Sequence, residues 1–299
     1  MLESSKLFNC LQYLDSNLSG KIKEWCSLVE RSLKQIEKNF EQYTDHGPPH
    51  CKAMLESLEW LIPPDTAKKL NSLEIALLLL AVYHHDIGMA WDIEHQDMLM
   101  EKDPDWLAEK DRLINKFRHS KTVTDKSDAS LLNLAFMEWA RERHGEEAVH
   151  WIEENRIGKP EFRLEDYYNY DPWENVAKLC EAHIRPTCDH LPSGEYIGPG
   201  GMRVNLCFLG CALRLADICH ITMDRADPEV EKHIRFTDEY SRAKWKVSQY
   251  IRGVGPGAQE VITIQAYPPS LAVHRAIAAI GREIKAELDK ANRNLFRKQ

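Results

Sequence analysis

Apolar residues recur every three or four positions through most of this chain, which is the spacing of one face of an α-helix. The first such stretch predicts a single amphipathic helix from about Ile22 to Phe40. The sequence Gly47-Pro48-Pro49 interrupts this pattern. Because proline is well placed to open a helix, a second helix is predicted from about His50 to Leu61.

An almost wholly apolar stretch, Leu73 to His85, predicts a helix that is buried on all sides. Ser72 stands directly before it, in the position of a helix cap. A second buried helix is predicted from Met202 to Met223. Three amphipathic helices are predicted at about 104–118, 127–155 and 173–184.

Two regions depart from this helical pattern. Residues 185–201 contain three prolines and four glycines, which predicts a loop. Residues 245–254 and 260–267 alternate and are rich in β-branched and aromatic side chains, so they predict a β-hairpin. A last amphipathic helix follows, with Ile277 and Ile284 on its apolar face.

The prediction for the whole chain is an all-α helical bundle with a small C-terminal β-hairpin and a terminal helix. We expect a helical domain at residues 1–240 and an appendage, the hairpin and its helix, at residues 241–299. No internal repeat or low-complexity tract interrupts this arrangement.

Composition narrows the class of protein. The chain of 299 residues has 39 Lys and Arg against 47 Asp and Glu, a net charge of −8, which disfavours general binding of nucleic acid or of anionic membranes. The longest apolar run, Ile75–Tyr83, is too short to span a bilayer, and the N-terminal residues do not resemble a signal peptide. Eight cysteines include no CxxC pair. These features predict a cytoplasmic protein with reduced thiols.

Polar residues with the chemistry of metal ligands end the first buried helix. His84-His85-Asp86 places two imidazoles and a carboxylate at the end of an apolar segment, which is costly unless something pairs with them. A divalent cation is one such partner. Imidazole nitrogen and carboxylate oxygen together suit Mn, Fe, Co, Ni or Zn better than a site of oxygen ligands alone would.

Further candidate ligands occur in order along the chain. His46 and His50 are four residues apart, so they share a face if their helix begins early enough. Asp217 lies on the second buried helix. The complete ordered set is His50, His85-Asp86, His144, His183 and Asp217.

This order of motifs resembles the HD phosphohydrolase superfamily over roughly residues 20–230. Asp45-His46-Gly47-Pro48-Pro49-His50 is similar to the family's first-helix motif. Tyr83-His84-His85-Asp86-Ile87-Gly88 is similar to its signature, and Leu213-Arg214-Leu215-Ala216-Asp217 to its final motif. Within the superfamily, the chain resembles the HD domains of bacterial conflict and defence systems, which are sometimes joined to Hsp90-like ATPase modules.

The resemblance implies a ligand set. His50, His85, Asp86 and Asp217 match the residues that hold one metal in the family. His144 and His183 match the intermediate histidines of HD-GYP phosphodiesterases, which often hold two metals. One or two transition-metal ions are therefore expected, with Mg as an alternative. His46 takes a position at which HD-GYP proteins have an acidic residue, so its role is left open.

The same resemblance implies catalytic roles. Asp86 is the expected bridging carboxylate or the base partner of the attacking water, and Asp86, His144 and His183 are the catalytic candidates. His144 is either a ligand or the acid that protonates the leaving oxygen, and the sequence leaves both open. His84 is expected to have a supporting or packing role, and His220 is expected to be a surface or packing residue.

Phosphate binding also needs cationic side chains. Arginine makes bidentate bonds to phosphate. Arg185 follows His183 by two residues and Arg225 follows Asp217 by eight. These two are preferred to Arg141 and Arg143, and Tyr43 is a candidate to frame a base or sugar.

Several functions are compatible with these features. The first is hydrolysis of a phosphoester or phosphoanhydride in a nucleotide: a deoxynucleoside triphosphate, a nucleotide second messenger or a guanosine polyphosphate. The second is a nucleotide sensor that signals to a partner, such as an ATPase module or a second copy of the chain. The third, a helical scaffold with a relic site, is disfavoured because candidate ligands stand at all six positions.

Overall fold

The structure, a computed structural model, describes residues 2–186, 188, 191, 196–258 and 261–296, and its regular structure is almost entirely helical. The α-helices are α1 (Lys6–Leu14), α2 (Ser16–Leu33), α3 (Ile36–Asn39), α4 (Pro48–Leu61), α5 (Pro64–Ala67), α6 (Ser72–His84), α7 (Ile93–Lys102), α8 (Pro104–His119), α9 (Asp128–Asn155), α10 (Trp173–Ile184), α11 (Leu206–Cys219), α12 (Pro228–Glu231), α13 (Glu239–Gln249) and α14 (Leu271–Phe296). Short 3-10 helices lie at Leu2–Ser4, Ile87–Met89, Pro160–Phe162, Glu165–Tyr167, Pro199–Gly201 and Met223–Arg225.

Two short antiparallel sheets complete the fold. Strands β1 (Tyr196–Ile197) and β2 (Arg203–Val204) pair with each other. Strands β3 (Ile251–Pro256) and β4 (Ile262–Ala266) form the predicted hairpin, with Val254 opposite Ile264. The all-α fold with a small hairpin and a terminal helix is confirmed.

Helix α6 forms the centre of the bundle. Every residue from Ser72 to His84 is buried, as its uniformly apolar sequence predicts. Helices α1, α2, α4, α10 and α11 all pack against it. Its N-cap is Asn71 and not Ser72 as predicted: the Asn71 side chain accepts from Glu74 N, and Glu74 in turn accepts from Asn71 N. This reciprocal capping box satisfies two backbone donors at the helix start.

Two other local predictions need correction. The predicted helix over 22–40 is two helices, because α2 ends at Leu33 and α3 begins at Ile36. The first hairpin strand was predicted to start at Trp245, but α13 continues to Gln249, where its apolar residues Trp245 and Val247 pack in the interior. Tertiary packing decides the conformation of so short a segment.

The C-terminal helix lies against the bundle. Helix α14 packs on α11, and Arg214 of α11 donates from Nε to Oε1 of Glu287 at 2.5 Å. Ala291 of α14 belongs to the main hydrophobic core. The expected division into two units at residue 240 stays a prediction.

One described segment, Ser72–Met89, has the length and apolarity of a membrane span, but all of it is buried within the fold. The pair Leu206–Cys219 and Met223–Glu231 passes the same test only if a helix bent by 81° is taken as one span. Burial of this kind is typical of a core helix. The cytoplasmic location stays a prediction.

Candidate metal centre

Five helices bring the predicted ligands together. His50 lies in the first turn of α4, and His85 caps the C-terminus of α6 with Asp86 directly after it. Because α4, α10 and α11 pack around α6, and α9 packs on α10, ligands distant in sequence meet at this helix end. The remaining three are His144 of α9, His183 of α10 and Asp217 of α11.

The first cluster, named site A here, consists of His50, His85 and Asp86, all buried. The Nε2 atoms of His50 and His85 are 3.3 Å apart. Asp86 Oδ2 lies 3.1 Å from His85 Nε2 and 3.7 Å from His50 Nε2. One donor atom from each residue lies within 4.8 Å of the other two, which is close enough for all three to bind one ion.

The second cluster, site B, consists of Asp86, His144 and His183 and meets the same 4.8 Å condition. The Nε2 atoms of His144 and His183 are 2.8 Å apart. Asp86 Oδ1 lies 3.3 Å from His144 Nε2 and 3.8 Å from His183 Nε2. Asp86 therefore directs one carboxylate oxygen toward each site.

Asp217 stands at the edge of site A. Its Oδ1 lies 3.2 Å from His50 Nε2, but Asp217 is not part of either mutual cluster. Its side chain is 34% exposed, whereas that of Asp86 is 5% exposed. Asp217 therefore lies outside the two clusters, and it is the most solvent-exposed of the predicted ligands.

Hydrogen bonds to main-chain carbonyls fix the tautomers of three histidines. His85 Nδ1 donates to Val82 O at 2.9 Å, and His144 Nδ1 donates to Arg141 O at 2.5 Å. His183 Nδ1 donates to Cys180 O. Because a carbonyl oxygen only accepts, each Nδ1 carries a proton, and a ring in its neutral form has its lone pair on Nε2, facing a cluster.

These donor atoms fit a metal ion. Asp86 Oδ2 is buried and accepts no hydrogen bond, an arrangement that is costly without another partner. In site B two lone-pair Nε2 atoms, those of His144 and His183, face each other at 2.8 Å, so they repel unless a cation or a proton lies between them. Imidazole nitrogens and a buried carboxylate are the ligands of a divalent metal.

The charge state agrees with this fit. Burial raises the pKa of Asp86, but the neighbouring His85 charge outweighs burial and holds that pKa well below its ordinary value. Burial also raises the pKa of Asp217, and its close contact with His50 reverses that shift. Burial lowers the pKa of His183 to about 3. At neutral pH the centre therefore offers ionised carboxylates together with a neutral His183 imidazole.

A large cavity of about 610 Å³ lies beside the centre. His46 forms part of its wall, and the His46 ring is 5.8 Å from the ring of His50. Apolar side chains such as Met137 and Ile221 also line it. Its cationic lining residues are Lys116, Arg141, Arg225 and Lys244, and its acidic ones are Glu138, Asp238 and Glu283.

The predicted arginines have different surroundings. Arg225 lines the cavity and is itself fixed, since its Nε donates to Asp45 O at 2.7 Å. It lies in the 3-10 helix Met223–Arg225, after α11. Arg185 pairs with Glu181 at 2.5 Å and with Glu146 at 3.4 Å. The phosphate-binding roles of both arginines stay predictions.

Two other candidates also lie on the cavity wall. Tyr43 contacts the cavity, and burial raises its pKa to about 12, so it is a neutral hydroxyl at physiological pH. Arg141, one turn before His144, lines the cavity too. Arg143 instead forms ion pairs with Asp105 and Glu146.

Sequence reasoning assigned His220 only a packing role. The structure places its Nδ1 2.7 Å from Nδ1 of His50, with the centroids of the two rings 5.0 Å apart. The spacing of three residues between Asp217 and His220 was a clue, because residues three apart on a helix are neighbours. The identity of its partner, 170 residues away, could come only from the fold.

The helical bundle, the ligand order and the two clusters define an HD-type domain with a centre that can hold metal. The model of the HD-CE family matches residues 40–290. The chain therefore belongs to the HD-CE family, and the match continues past residue 230, where the sequence resemblance was expected to end. Neither a curated protein nor a solved structure gives a significant match to the chain.

Proposed function

We propose that this protein is a metal-dependent phosphohydrolase that cleaves a phosphoester or phosphoanhydride bond of a nucleotide. The observation that supports it is the pair of His/Asp clusters that share Asp86 beside a cavity of about 610 Å³. Binding pockets for small ligands commonly have about 300–1,000 Å³. The volume of the cavity is of a size that suits a nucleotide, whose phosphates would then lie toward the centre.

His50, His85, Asp86 and Asp217 would hold one divalent ion, and Asp86, His144 and His183 a second. Mn, Fe, Co, Ni or Zn suits this mixture of nitrogen and oxygen donors, with Mg as the alternative. Bound ions of this kind neutralise phosphoryl oxygens and make a nearby water more acidic. Asp86 holds both sites in a fixed relation, because its two oxygens face different clusters.

We assign His144 as a ligand in preference to a general acid. Its Nδ1 proton is committed to Arg141 O, and its Nε2 faces His183 Nε2 and Asp86 Oδ1. A neutral imidazole in this tautomer has no proton on Nε2 to give to a leaving group. The proton for the leaving oxygen would then come from water.

Product analysis tests the proposal. Purified protein with Mn²⁺ is incubated with deoxynucleoside and nucleoside triphosphates, cyclic dinucleotides and guanosine polyphosphates, and the products are identified by mass spectrometry. We expect the wild type to turn over one of these classes of nucleotide. Asp86→Ala removes a carboxylate from both sites and should lower that turnover at least about a hundredfold. Asp65→Ala is the matched control, because the Asp65 side chain is 90% exposed. Bound metal without turnover of any class would contradict the hydrolase.

A second function is favoured by the composition of the cavity wall. Tyr240 and Lys244 of α13 and Glu283 of α14 line the cavity together with residues of α8, α9 and α11. A ligand there would touch both the bundle and the C-terminal helices. We propose as the alternative a nucleotide sensor of a bacterial defence system, in which these helices transmit ligand binding to a partner, either an ATPase module or a second copy of the chain.

Hydrogen exchange distinguishes the two functions. A nucleotide that is bound but not cleaved, and that slows amide exchange in α13 and α14, would favour the sensor. Sedimentation of the protein with and without that nucleotide would then show whether the partner is a second copy. Turnover without a change of exchange in these helices would favour the simple hydrolase.

A further inference from the structure

His50 differs from the other histidines of the centre in the partner of its Nδ1 atom. His85, His144 and His183 each direct Nδ1 to the carbonyl of the residue three positions earlier. The Nδ1 atom of His50 instead lies 2.7 Å from Nδ1 of His220. A carbonyl can only accept a hydrogen bond, whereas an imidazole nitrogen either donates or accepts. The tautomer of His50 therefore depends on that of a second side chain.

His220 is held in place from several directions. It is 5% exposed, and its ring lies nearly parallel to that of His50, with an angle of 17° between the ring planes. Its main-chain N donates to Asp217 O at 3.0 Å, and its carbonyl accepts from Arg225 Nη1 at 2.9 Å. Arg225 also donates to Asp45 O, in the segment that leads into α4. The network thus connects the C-terminus of α11, which carries Asp217, to the start of α4, which carries His50.

A neutral His220 can be the acceptor. With its proton on Nε2, His220 presents a lone pair at Nδ1. His50 then donates from Nδ1 and keeps its own lone pair on Nε2, which faces His85, Asp86 and Asp217.

We propose that His220 is a positioning residue for site A: it accepts the Nδ1 proton of His50 and so fixes the His50 tautomer and ring orientation that bind metal. This inference rests on the metal centre of the proposed function but not on the identity of the substrate. Hydrogen-bond partners of metal ligands commonly contribute about 10–100-fold to metal affinity. His220 has no need to touch metal or substrate itself.

Metal titration tests the role. Mn²⁺ binding to the full chain is measured by calorimetry for wild type, His220→Leu and His220→Asn. We expect His220→Leu, which removes the acceptor but keeps bulk, to weaken one site by about 10–100-fold. His220→Asn retains an oxygen that can accept and should bind metal much more nearly as wild type does. His233→Leu makes the same replacement at an exposed histidine and should leave binding unchanged.

A tautomer measurement separates positioning from packing. In ¹⁵N-histidine-labelled wild type without metal, we expect NMR shifts that place the His50 proton on Nδ1, and in His220→Leu a mixture of tautomers. Equal metal affinity in wild type and His220→Leu would overturn the proposal, as would equal losses in the Leu and Asn variants. If His220→Leu does not fold by circular dichroism, the wild-type spectrum decides: a proton on His50 Nε2 would overturn it. Metal binding without turnover would contradict the hydrolase function but not the role of His220.

Discussion

Gly88 shows how one residue without a side chain shapes the centre. It lies two positions after Asp86, in the 3-10 helix Ile87–Met89 that packs on α9. A Cβ atom at this position would lie 2.0 Å from His144 O and 2.5 Å from Ala148 N. Main-chain atoms cannot move aside as a flexible side chain can, so the approach of Asp86 to His144 requires glycine here.

Gly88→Ala is therefore expected to lower the free energy of unfolding by about 3 kcal/mol, the upper part of the usual range for overpacking. It should also weaken metal binding at site B, because α9 must move away from Asp86. Urea unfolding and Mn²⁺ calorimetry measure the two effects. Gly20→Ala is the matched control: nothing lies within 4 Å of a Cβ there. Because Gly20 is inside α2, its replacement should raise stability by about 0.5–1 kcal/mol. If Gly88→Ala changed neither the free energy of unfolding nor metal binding, the close approach of Gly88 to α9 would be contradicted.

At the scale of elements, one ion pair ties the terminal helix to the bundle. Arg214 of α11 and Glu287 of α14 are joined at 2.5 Å, with side chains that are 10% and 12% exposed. Arg214 Nη1 also donates to Ala182 O and His183 O. The pair thus links α14 to the end of α10, where His183 lies. Helix α14 is held by a charged contact as well as by its apolar face.

Glu287→Gln is expected to cost about 2 kcal/mol of stability at pH 7, a typical contribution of a hydrogen bond to a charged group. Burial raises the pKa of Glu287, but its hydrogen bond to Arg214 outweighs burial and holds the pKa below the ordinary 4.5. A carboxylate with a depressed pKa stabilises the fold above its unfolded pKa, and that contribution is lost as the pH falls through the folded pKa.

The stability difference between wild type and Glu287→Gln should accordingly be constant from pH 7 to about 5 and should narrow below 4.5. Urea unfolding across this range measures it. Glu283→Gln provides a comparison on the same helix, at a residue on the cavity wall. A difference that did not change with pH would show that the Glu287 charge does not stabilise the contact.

For the whole molecule, metal binding and folding should be linked. The ligands come from helices that meet only in the folded chain, so an ion that binds there stabilises the native state. At a free concentration of one hundred times its Kd, an ion contributes about 2.7 kcal/mol. We expect Mn²⁺ to raise the unfolding free energy of the wild type by this amount and EDTA to reverse the increase.

Asp86→Ala should show little of this metal-dependent stabilisation, because it removes the carboxylate that both clusters share. Thermal unfolding with Mn²⁺ and with EDTA measures the difference. Equal stabilisation of the variant and the wild type would show that the ion binds elsewhere. The Asp65→Ala protein again serves as the control with an intact centre.

The sequence alone determined the fold class and the order of the candidate ligands. Uniform apolarity predicted that α6 is buried, and the structure shows every residue of that helix buried. Helical periodicity and the breaks at prolines located α4, α8, α9 and α10 closely. These features are local: burial of a helix face and the conformational restriction of proline both act within a few residues.

Tertiary structure decided what no local pattern contains. It placed α13 where a strand was predicted, and it seated α14 against α11. It also separated the ligands into two clusters joined by Asp86, and it paired His50 with His220. Each of these facts depends on the relative positions of helices that are far apart in the sequence. Such positions are set by the packing of the whole core, so a pattern read along the chain could name the residues of the centre but not which of them meet.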